Sequence, residues 1–237
     1  MEPSEQDIIK NHTREIPVTI ITGFLGAGKT TLLNRILTNQ KGIKTAVLVN
    51  EFGSIGIDND LITKTEEDVI ELTNGCICCT INDELLDAIN RILSENKSIE
   101  YLIIETTGLA DPLPVAMTIN SARELLRLDS IITLVDCDNF SDDTFNSKVA
   151  RSQILYGDII LLNKCDLVSK DRLAIIESRL SEIKRNPRLL RSVKGDVPLP
   201  LILSVGLFKS DVIASSSIEH EHEHEHEHEH EHEHEHE

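Results

Sequence analysis

The stretch Gly-Phe-Leu-Gly-Ala-Gly-Lys-Thr at residues 23–30 decides the fold, because it directly follows the apolar run from Ile16 to Ile21. Its spacing is GxxxxGKT, in which the glycines let the backbone curl and point successive N–H groups at nucleotide phosphates. The apolar run predicts a strand. Residues 30–38 predict a helix, whose partly positive N-terminus adds to anion binding. The stretch therefore predicts a phosphate-binding loop between a strand and a helix.

The residue types within this loop predict individual contacts. Lys29 is expected to neutralise β- and γ-phosphate oxygens, and Thr30 to offer its hydroxyl to Mg²⁺. The other positions expected to contact the nucleotide are Gly23, Gly26, Ala27, Gly28 and Thr31. This loop predicts that the chain binds a nucleoside triphosphate together with Mg²⁺.

The base is indicated by Asn163-Lys164-Cys165-Asp166, an NKxD pattern that follows the apolar run at residues 159–162. A carboxylate at Asp166 can accept hydrogen bonds from N1–H and the amino group of guanine. Adenine has no donors there and would leave the carboxylate unpaired, which discriminates against ATP. Asn163 is expected to brace the loop and reach the base, while the Lys164 stem lies along the ring. The pattern predicts GTP.

A third nucleotide element is Glu105-Thr106-Thr107-Gly108, which follows the apolar run at residues 101–104. An acidic residue at a strand end can sit beside Mg²⁺ or its water shell, and the Gly108 N–H can contact the γ-phosphate. Such a contact senses hydrolysis, because only the γ-phosphate differs between GTP and GDP. The residues predicted to be catalytic are thus Lys29, Thr30 and Glu105. No water-positioning glutamine is apparent from the sequence.

Three of the five cysteines lie within four residues, at Cys76, Cys78 and Cys79. Thiols this close do not pair comfortably with one another. Sparse cysteines, no signal peptide and no long apolar span predict a reducing, cytoplasmic compartment, where clustered thiolates favour a metal. Zn²⁺ suits them best, and Co²⁺ and Ni²⁺ stay open. Three thiolates leave one position for Glu51, water or a client, and an open site suits metal delivery.

The motifs GFLGAGKTT, VNEFG at 49–53, GCICC, ETTGLADP at 105–112 and NKCD occur in that order. Together they resemble the CobW-type metallochaperone GTPases, which are relatives of the HypB and UreG nickel-insertion GTPases. The resemblance covers residues 16–208. It implies a GTPase whose nucleotide state controls a bound metal, with slow turnover unless a partner is present. It also implies that a client metalloprotein receives the metal, and it is compatible with a homodimer. The resemblance places Glu51 in the switch region that connects the nucleotide site to the metal site.

The spacing of apolar runs predicts an α/β fold, a P-loop NTPase with a mainly parallel sheet and helices on both faces. Strands are expected at 16–22, 44–50, 69–72, 100–105, 130–136 and 158–163. Helices are expected at 29–39, 80–95, 112–127, 142–156 and 169–186. Residues 1–15 are expected to form a flexible N-terminus and residues 16–208 one GTPase domain.

From Glu219 onward the chain alternates Glu and His to its end, which accounts for nine of its ten histidines. Its ten glutamates carry more than half of the net charge of −18, so the body is only moderately acidic. Neither the net charge of the whole chain nor that of the body without these glutamates suggests nucleic acid or an anionic membrane as a partner. Residues 209–237 are expected to form a disordered tail. Native metal capture and an appended purification tag are both compatible with it.

The resemblance also implies a C-terminal α+β domain, for which we expect no counterpart in residues 209–237. We expect client recognition and assembly to be affected by this, while nucleotide and metal binding remain. Two other classes of function stay open from the residues alone. One is a regulatory GTP switch with redox-sensing cysteines, and the other is a metal buffer dominated by the histidine tail. Cys137 and Cys165 are interpreted as small core residues.

Overall fold

Parallel strands form one sheet at the centre of the molecule. The computed structural model describes residues 15–39, 43–50, 71–73, 81–204 and 206. Within these ranges the strands are β1 Ile16–Gly23, β2 Thr45–Asn50, β3 Glu71–Thr73, β4 Tyr101–Thr106, β5 Leu126–Asp136, β6 Ile159–Asn163 and β7 Leu189–Arg191. Their order across the sheet is β3-β2-β4-β1-β5-β6-β7, with every neighbouring pair parallel. The predicted α/β class with a parallel sheet is confirmed.

Helices connect the strands in the described part of the chain. They are α1 Lys29–Asn39, α2 Ile81–Glu95, α3 Pro112–Ser121, α4 Asp142–Phe145, α5 Lys148–Tyr156 and α6 Lys170–Ile183. Short 3₁₀ turns occupy Cys165–Leu167 and Leu199–Leu201. None of the helices within the described ranges is long and apolar enough to span a membrane.

Both faces of the sheet are covered, as continuous apolar strands require. Every residue of β1, β4 and β6 is buried. On one face, α1 packs over alternate strand residues that include Ile159 and Leu161. On the other face, α2 and α3 cover β1, β2 and β4, and α5 and α6 cover Ile160 and Leu162. Because the strands are parallel, their carboxyl ends lie at the same edge of the sheet, which is where open α/β sheets place ligands.

The helix expected at 112–127 is shorter in the structure, and its last residues belong to β5. Helix α3 ends at Ser121, and β5 begins at Leu126 rather than at residue 130. The Ile16 N–H donates to the carbonyl of Leu125, and Ile16 and Val18 of β1 then pair with β5. Pairing with β1 therefore makes residues 126 and 127 part of a strand rather than the end of the expected helix.

The helix expected at 142–156 is two helices with a break between them. Helix α4 ends at Phe145, and Ser147 begins α5 by accepting a hydrogen bond from the Ala150 N–H at 3.2 Å. A serine in this position satisfies an otherwise unpaired donor of the first turn, so it favours a new helix start. The short edge strand β7 was not predicted, because it has only three residues, two partly buried and one exposed, and these carry little pattern.

Candidate nucleotide-binding site

The loop at residues 23–30 connects β1 to α1 and holds its lysine over its own backbone. Lys29 Nζ donates to the carbonyl of Gly23 at 2.9 Å and to that of Phe24 at 3.2 Å. The Lys29 side chain is buried, and it lies at the first turn of α1. A buried ammonium beside a helix N-terminus produces a strongly positive site suited to phosphate.

Two loop glycines are required by space as well as by conformation. Gly23 has φ +136°, and a Cβ there would lie 2.3 Å from the carbonyl oxygen of Leu134. Gly28 has φ +100°, and a Cβ there would lie 2.4 Å from Asn163 Nδ2. Gly26 also has positive φ, at +75°, but has open space around it. Side chains are disfavoured at such φ values, so the loop conformation depends on glycine.

Thr30 lies beside the acidic residue at the end of β4. Its hydroxyl donates to Glu105 Oε1 at 3.4 Å, and Glu105 is buried. Because Ile21 of β1 pairs with Glu105, the sheet register places the carboxylate next to the loop. A hydroxyl and a carboxylate oxygen at this separation are hard oxygen donors of the type that Mg²⁺ prefers. The two side chains therefore fit a magnesium site.

Gly108 lies directly against the phosphate-binding loop. A Cβ at Gly108 would lie 2.5 Å from the backbone nitrogen of Leu25 and 2.8 Å from its Cα. The segment after β4 can approach the loop this closely only because residue 108 has no side chain. The structure thus places Gly108 next to the loop predicted to hold the phosphates.

Asn163 joins three segments through its side-chain amide. Its Nδ2 donates to the carbonyl of Ala27 at 2.9 Å, and the residue is buried. Its Oδ1 accepts from the Ser192 hydroxyl and from the Gly195 N–H, both at 3.0 Å. Asn163 therefore links the phosphate-binding loop to the segment that follows β7.

That segment, Ser192 to Gly195, was not identified by sequence reasoning. Beyond its contacts to Asn163, the carbonyl of Ser192 accepts from the Cys165 N–H at 3.2 Å. Arg35 of α1 donates to the Lys194 carbonyl at 2.7 Å. The sequence signal was faint, namely a Ser-Val-Lys-Gly stretch that follows Leu189-Leu190-Arg191. Its position beside Asn163 makes it a further wall of the candidate base site.

Lys164 has a left-handed backbone, with φ 61°, and its side chain reaches back to β5. Its Nζ donates to Asp136 Oδ2 at 2.6 Å. Burial raises the pKa of the Asp136 carboxyl, but hydrogen bonds from Asn139 and Lys164 outweigh it and hold that pKa below its usual range. Asp136 is therefore ionised at neutral pH and fixes the Lys164 stem. Asp166 lies two residues further on, exposed in a 3₁₀ turn.

The remaining predicted site residues divide between described and undescribed parts of the chain. Ala27 is buried in the loop, and Thr31 is exposed on α1. Cys76, Cys78, Cys79 and Glu51 lie outside the described residues. Within the described ranges, no group of three His, Cys, Asp or Glu side chains could hold a metal ion. The residues predicted to bind a transition metal therefore all lie outside the part of the chain that the structure describes.

Cys137 and Cys165 lie in the described part, at the ends of β5 and β6. Both pack in the apolar cluster between these strands and α6. Burial, with the neighbouring Cys165 thiol, raises the pKa of Cys137 to about 12. Cys137 is therefore a neutral thiol near pH 7 and behaves as a small apolar side chain.

Comparison with known proteins agrees with this geometry. Residues 17–191 match the CobW/HypB/UreG nucleotide-binding domain. The zinc-regulated GTPase metalloprotein activator 1 of Dictyostelium discoideum is 38% identical over 234 residues, which cover 82% of this chain and 49% of that protein. The zinc chaperone CobW of a Sinorhizobium species is 33% identical over 237 residues, covering 87% of this chain and 67% of that protein.

A solved structure shows the same fold at comparable identity. The crystal structure of Zn(II)-bound YjiA GTPase from E. coli has a TM-score of 0.63 and 36% identity, and the match covers 83% of this chain and 64% of that one. The chain spans about half of the Dictyostelium relative and about two thirds of the Sinorhizobium relative. The family match covers well over half of the chain. The chain therefore belongs to the CobW/HypB/UreG family of nucleotide-binding domains.

Proposed function

We propose that this protein is a metallochaperone GTPase, which binds and hydrolyses GTP and thereby controls a transition metal. The observation that carries the proposal is the convergence of three motifs at one sheet edge. Lys29 lies in the loop, Thr30 bonds Glu105, Gly108 lies on Leu25, and Asn163 bonds Ala27. Each of these groups has a separate role in phosphoryl transfer or base recognition, so their joint placement favours a nucleotide hydrolase.

In the proposed reaction, Lys29 leaves the carbonyls of Gly23 and Phe24 and binds β- and γ-phosphate oxygens. The backbone N–H groups of the loop point at the same phosphates, and α1 contributes the positive end of its dipole. Thr30 and Glu105 would hold Mg²⁺, directly or through water. When bound, Mg²⁺ neutralises charge that develops on the phosphate oxygens. Gly108 donates its N–H to the γ-phosphate and so distinguishes GTP from GDP.

The base is read at the end of β6. Asp166 accepts from guanine N1–H and its amino group, and Lys164, held by Asp136, lies along the ring. Asn163 keeps this loop in register with the phosphate-binding loop through its hydrogen bond to Ala27. Specificity for guanine follows, since adenine would leave the Asp166 carboxylate without donors.

The metal part of the proposal comes from the sequence and from the relatives. We propose that Cys76, Cys78 and Cys79 bind Zn²⁺, with Co²⁺ and Ni²⁺ as alternatives, and that Glu51 connects this site to the nucleotide. The names of the relatives, a zinc chaperone and a zinc-regulated metalloprotein activator, support zinc as cargo. The recipient would be a client metalloprotein in the cytoplasm, and residues 16–208 would be the unit that binds both ligands.

A hydrolysis assay tests the nucleotide part of this proposal. With Mg²⁺ present, we expect phosphate release from GTP to saturate at low concentration and to be unaffected by an equal concentration of ATP. The physical reason is the unpaired Asp166 carboxylate in an ATP complex, which costs about 1–3 kcal/mol or more. Chelation of Mg²⁺ should abolish turnover. Equal hydrolysis of ATP and GTP would contradict guanine recognition by this loop.

A further inference from the structure

Gln153 of α5 is a buried glutamine that belongs to none of the nucleotide motifs. It is 2% exposed. Its Nε2 donates to the carbonyl of Ala110 at 3.0 Å and to that of Gly108 at 3.4 Å. A glutamine amide nitrogen has two hydrogens, so these two bonds use its full donor capacity. Gly108 is the last residue of the Glu105-Thr106-Thr107-Gly108 motif, and Ala110 lies two residues after it.

The neighbouring residue makes a second attachment to the same segment. Ser152 donates from its hydroxyl to Asp111 Oδ1 at 2.6 Å. The same oxygen accepts from the Leu113 N–H at 2.9 Å and so begins α3. Helix α5 therefore holds residues 108–111 through two consecutive side chains.

Helix α5 is itself attached to the sheet at this point. The backbone carbonyl of Gln153 accepts from the Thr133 hydroxyl at 2.5 Å, and Thr133 is a buried residue of β5. Gln153 thus connects the rigid central sheet, through its backbone, to the segment at 108–111, through its amide. A group carried on a rigid element positions its partner more precisely than loop-to-loop contacts do.

Gly108 is constrained from the opposite side by the phosphate-binding loop. Its Cα lies against the backbone of Leu25, so no side chain could be accommodated there. The carbonyl held by Gln153 belongs to the peptide that follows Gly108, whereas the Gly108 N–H lies in the preceding planar peptide. The Thr107 carbonyl of that preceding peptide accepts from the Ala110 N–H at 3.1 Å. The direction of the Gly108 N–H is therefore restrained by the contact with Leu25 and by Ala110, whose carbonyl Gln153 holds.

Apolar packing is incomplete where α5 borders this part of the sheet. A cleft of about 250 Å³ lies beside Gln153 and is lined mainly by apolar side chains, among them Phe24, Val135, Ala150 and Ile154. Side chains bordering such a space lack contacts on one side, so they restrain their neighbours less. The hydrogen bonds of Gln153 and Ser152 therefore restrain residues 108–111 at a place where apolar packing is incomplete.

We propose that Gln153 is a positioning residue for GTP hydrolysis, holding the carbonyls of Gly108 and Ala110 so that the Gly108 N–H is presented to the γ-phosphate. It touches neither nucleotide nor Mg²⁺ and acts through Gly108. The inference rests on the proposed GTPase function. Because GDP lacks the γ-phosphate, loss of Gln153 should affect GTP and leave GDP binding unchanged.

The test is Gln153→Met, which keeps side-chain length and removes both donors. We expect kcat for GTP to fall on the order of 10- to 100-fold, since small misplacements of a reacting group have effects of this size. Affinity for a non-hydrolysable GTP analogue should fall about tenfold, and affinity for GDP should stay within about twofold. The matched control is Ser147→Ala, which weakens the start of the same helix without touching residues 108–111. It should leave the ratio of GTP to GDP affinity unchanged.

An equal loss of GTP and GDP affinity in Gln153→Met would mean that Gln153 has a merely structural role, and would overturn the proposal. An unchanged kcat for GTP would also overturn it. If Gln153→Met does not fold, Ser152→Ala takes its place. We expect a smaller loss of kcat and of GTP affinity in that variant. If neither quantity changes, the proposal is contradicted. Hydrogen exchange on nucleotide-free protein separates this idea from the proposed function. Faster exchange around Ala110 in the variant would support the restraint even if the wild type did not hydrolyse GTP, and unchanged exchange would refute it.

Discussion

Replacing Lys29 by alanine is expected to weaken Mg·GTP binding by on the order of 10²–10⁴-fold and to remove hydrolysis almost completely. The side chain is buried in the loop, with its ammonium on the carbonyls of Gly23 and Phe24. On nucleotide binding it would exchange these for two charge-assisted hydrogen bonds to phosphate oxygens, each worth about 1.5–3 kcal/mol. Nucleotide affinity by fluorescence titration and phosphate release measure the two effects.

Lys170→Ala is the matched control, because that lysine is exposed at the start of α6 and belongs to none of the nucleotide motifs. It should change neither affinity nor turnover measurably. Thermal unfolding of both variants without nucleotide would show that the Lys29 effect is not a loss of fold. Turnover like that of the wild type in Lys29→Ala would place the active site elsewhere.

Replacing Asp166 by asparagine is expected to change the base preference from guanine to xanthine. Xanthine carries a carbonyl where guanine has its amino group, so the asparagine amide can donate where the carboxylate accepted. We expect GTP affinity to fall on the order of 10²–10⁴-fold, because a site built for specific hydrogen bonds rejects a ligand that leaves them unmade. XTP affinity should rise correspondingly. Competition between the two nucleotides for the wild type and the variant measures the ratio directly.

Asp171→Asn serves as control for the loss of one acidic charge. Asp171 is exposed in the first turn of α6, five residues from Asp166, and has no proposed contact with the base. Its substitution should leave the GTP to XTP ratio as it is. A variant at Asp166 that still prefers GTP as strongly as the wild type would contradict guanine recognition at that carboxylate.

The parts of the fold that local pattern determines were predictable from the sequence. The run at 16–21, the glycine spacing at 23–28 and the apolar runs before Glu105 and Asn163 each form the expected strand or loop. Long-range pairing decided the rest. Leu126 lies within the helix expected at 112–127, yet it pairs with Ile16 more than 100 residues away in the chain. No local window contains that information.

The same distinction applies to the candidate site. Motif residues were identifiable because their spacing is imposed by the shape of a nucleotide. The partners that hold them were not, because they come from other elements. Asp136 is 28 residues from Lys164, and Ser192 is 29 residues from Asn163. Gln153 reads as one polar residue of a helix, and only the packing of α5 on residues 108–111 reveals why it is buried.

The link between nucleotide and metal is the central claim, and the sequence order gives it a physical basis. The cysteine stretch at 76–79 lies between the VNEFG stretch and Glu105-Thr106-Thr107-Gly108, so a γ-phosphate contact at Gly108 can act on one flank of it. If Mg·GTP tightens metal binding, metal must tighten GTP binding by the same factor. Thiolate ligation also releases protons, so metal affinity should rise with pH until the cysteines are ionised.

The most direct test is the Zn²⁺ affinity of the protein truncated after Ile218, measured in Mg·GDP and in Mg²⁺ with a non-hydrolysable GTP analogue. Truncation removes nine histidines that would bind metal whatever the nucleotide. The account predicts Zn²⁺ affinity about 5- to 150-fold higher with the GTP analogue. It predicts that Cys76→Ser, Cys78→Ser and Cys79→Ser together abolish this binding. Equal affinity in both nucleotide states, or binding that survives replacement of all three cysteines, would contradict it.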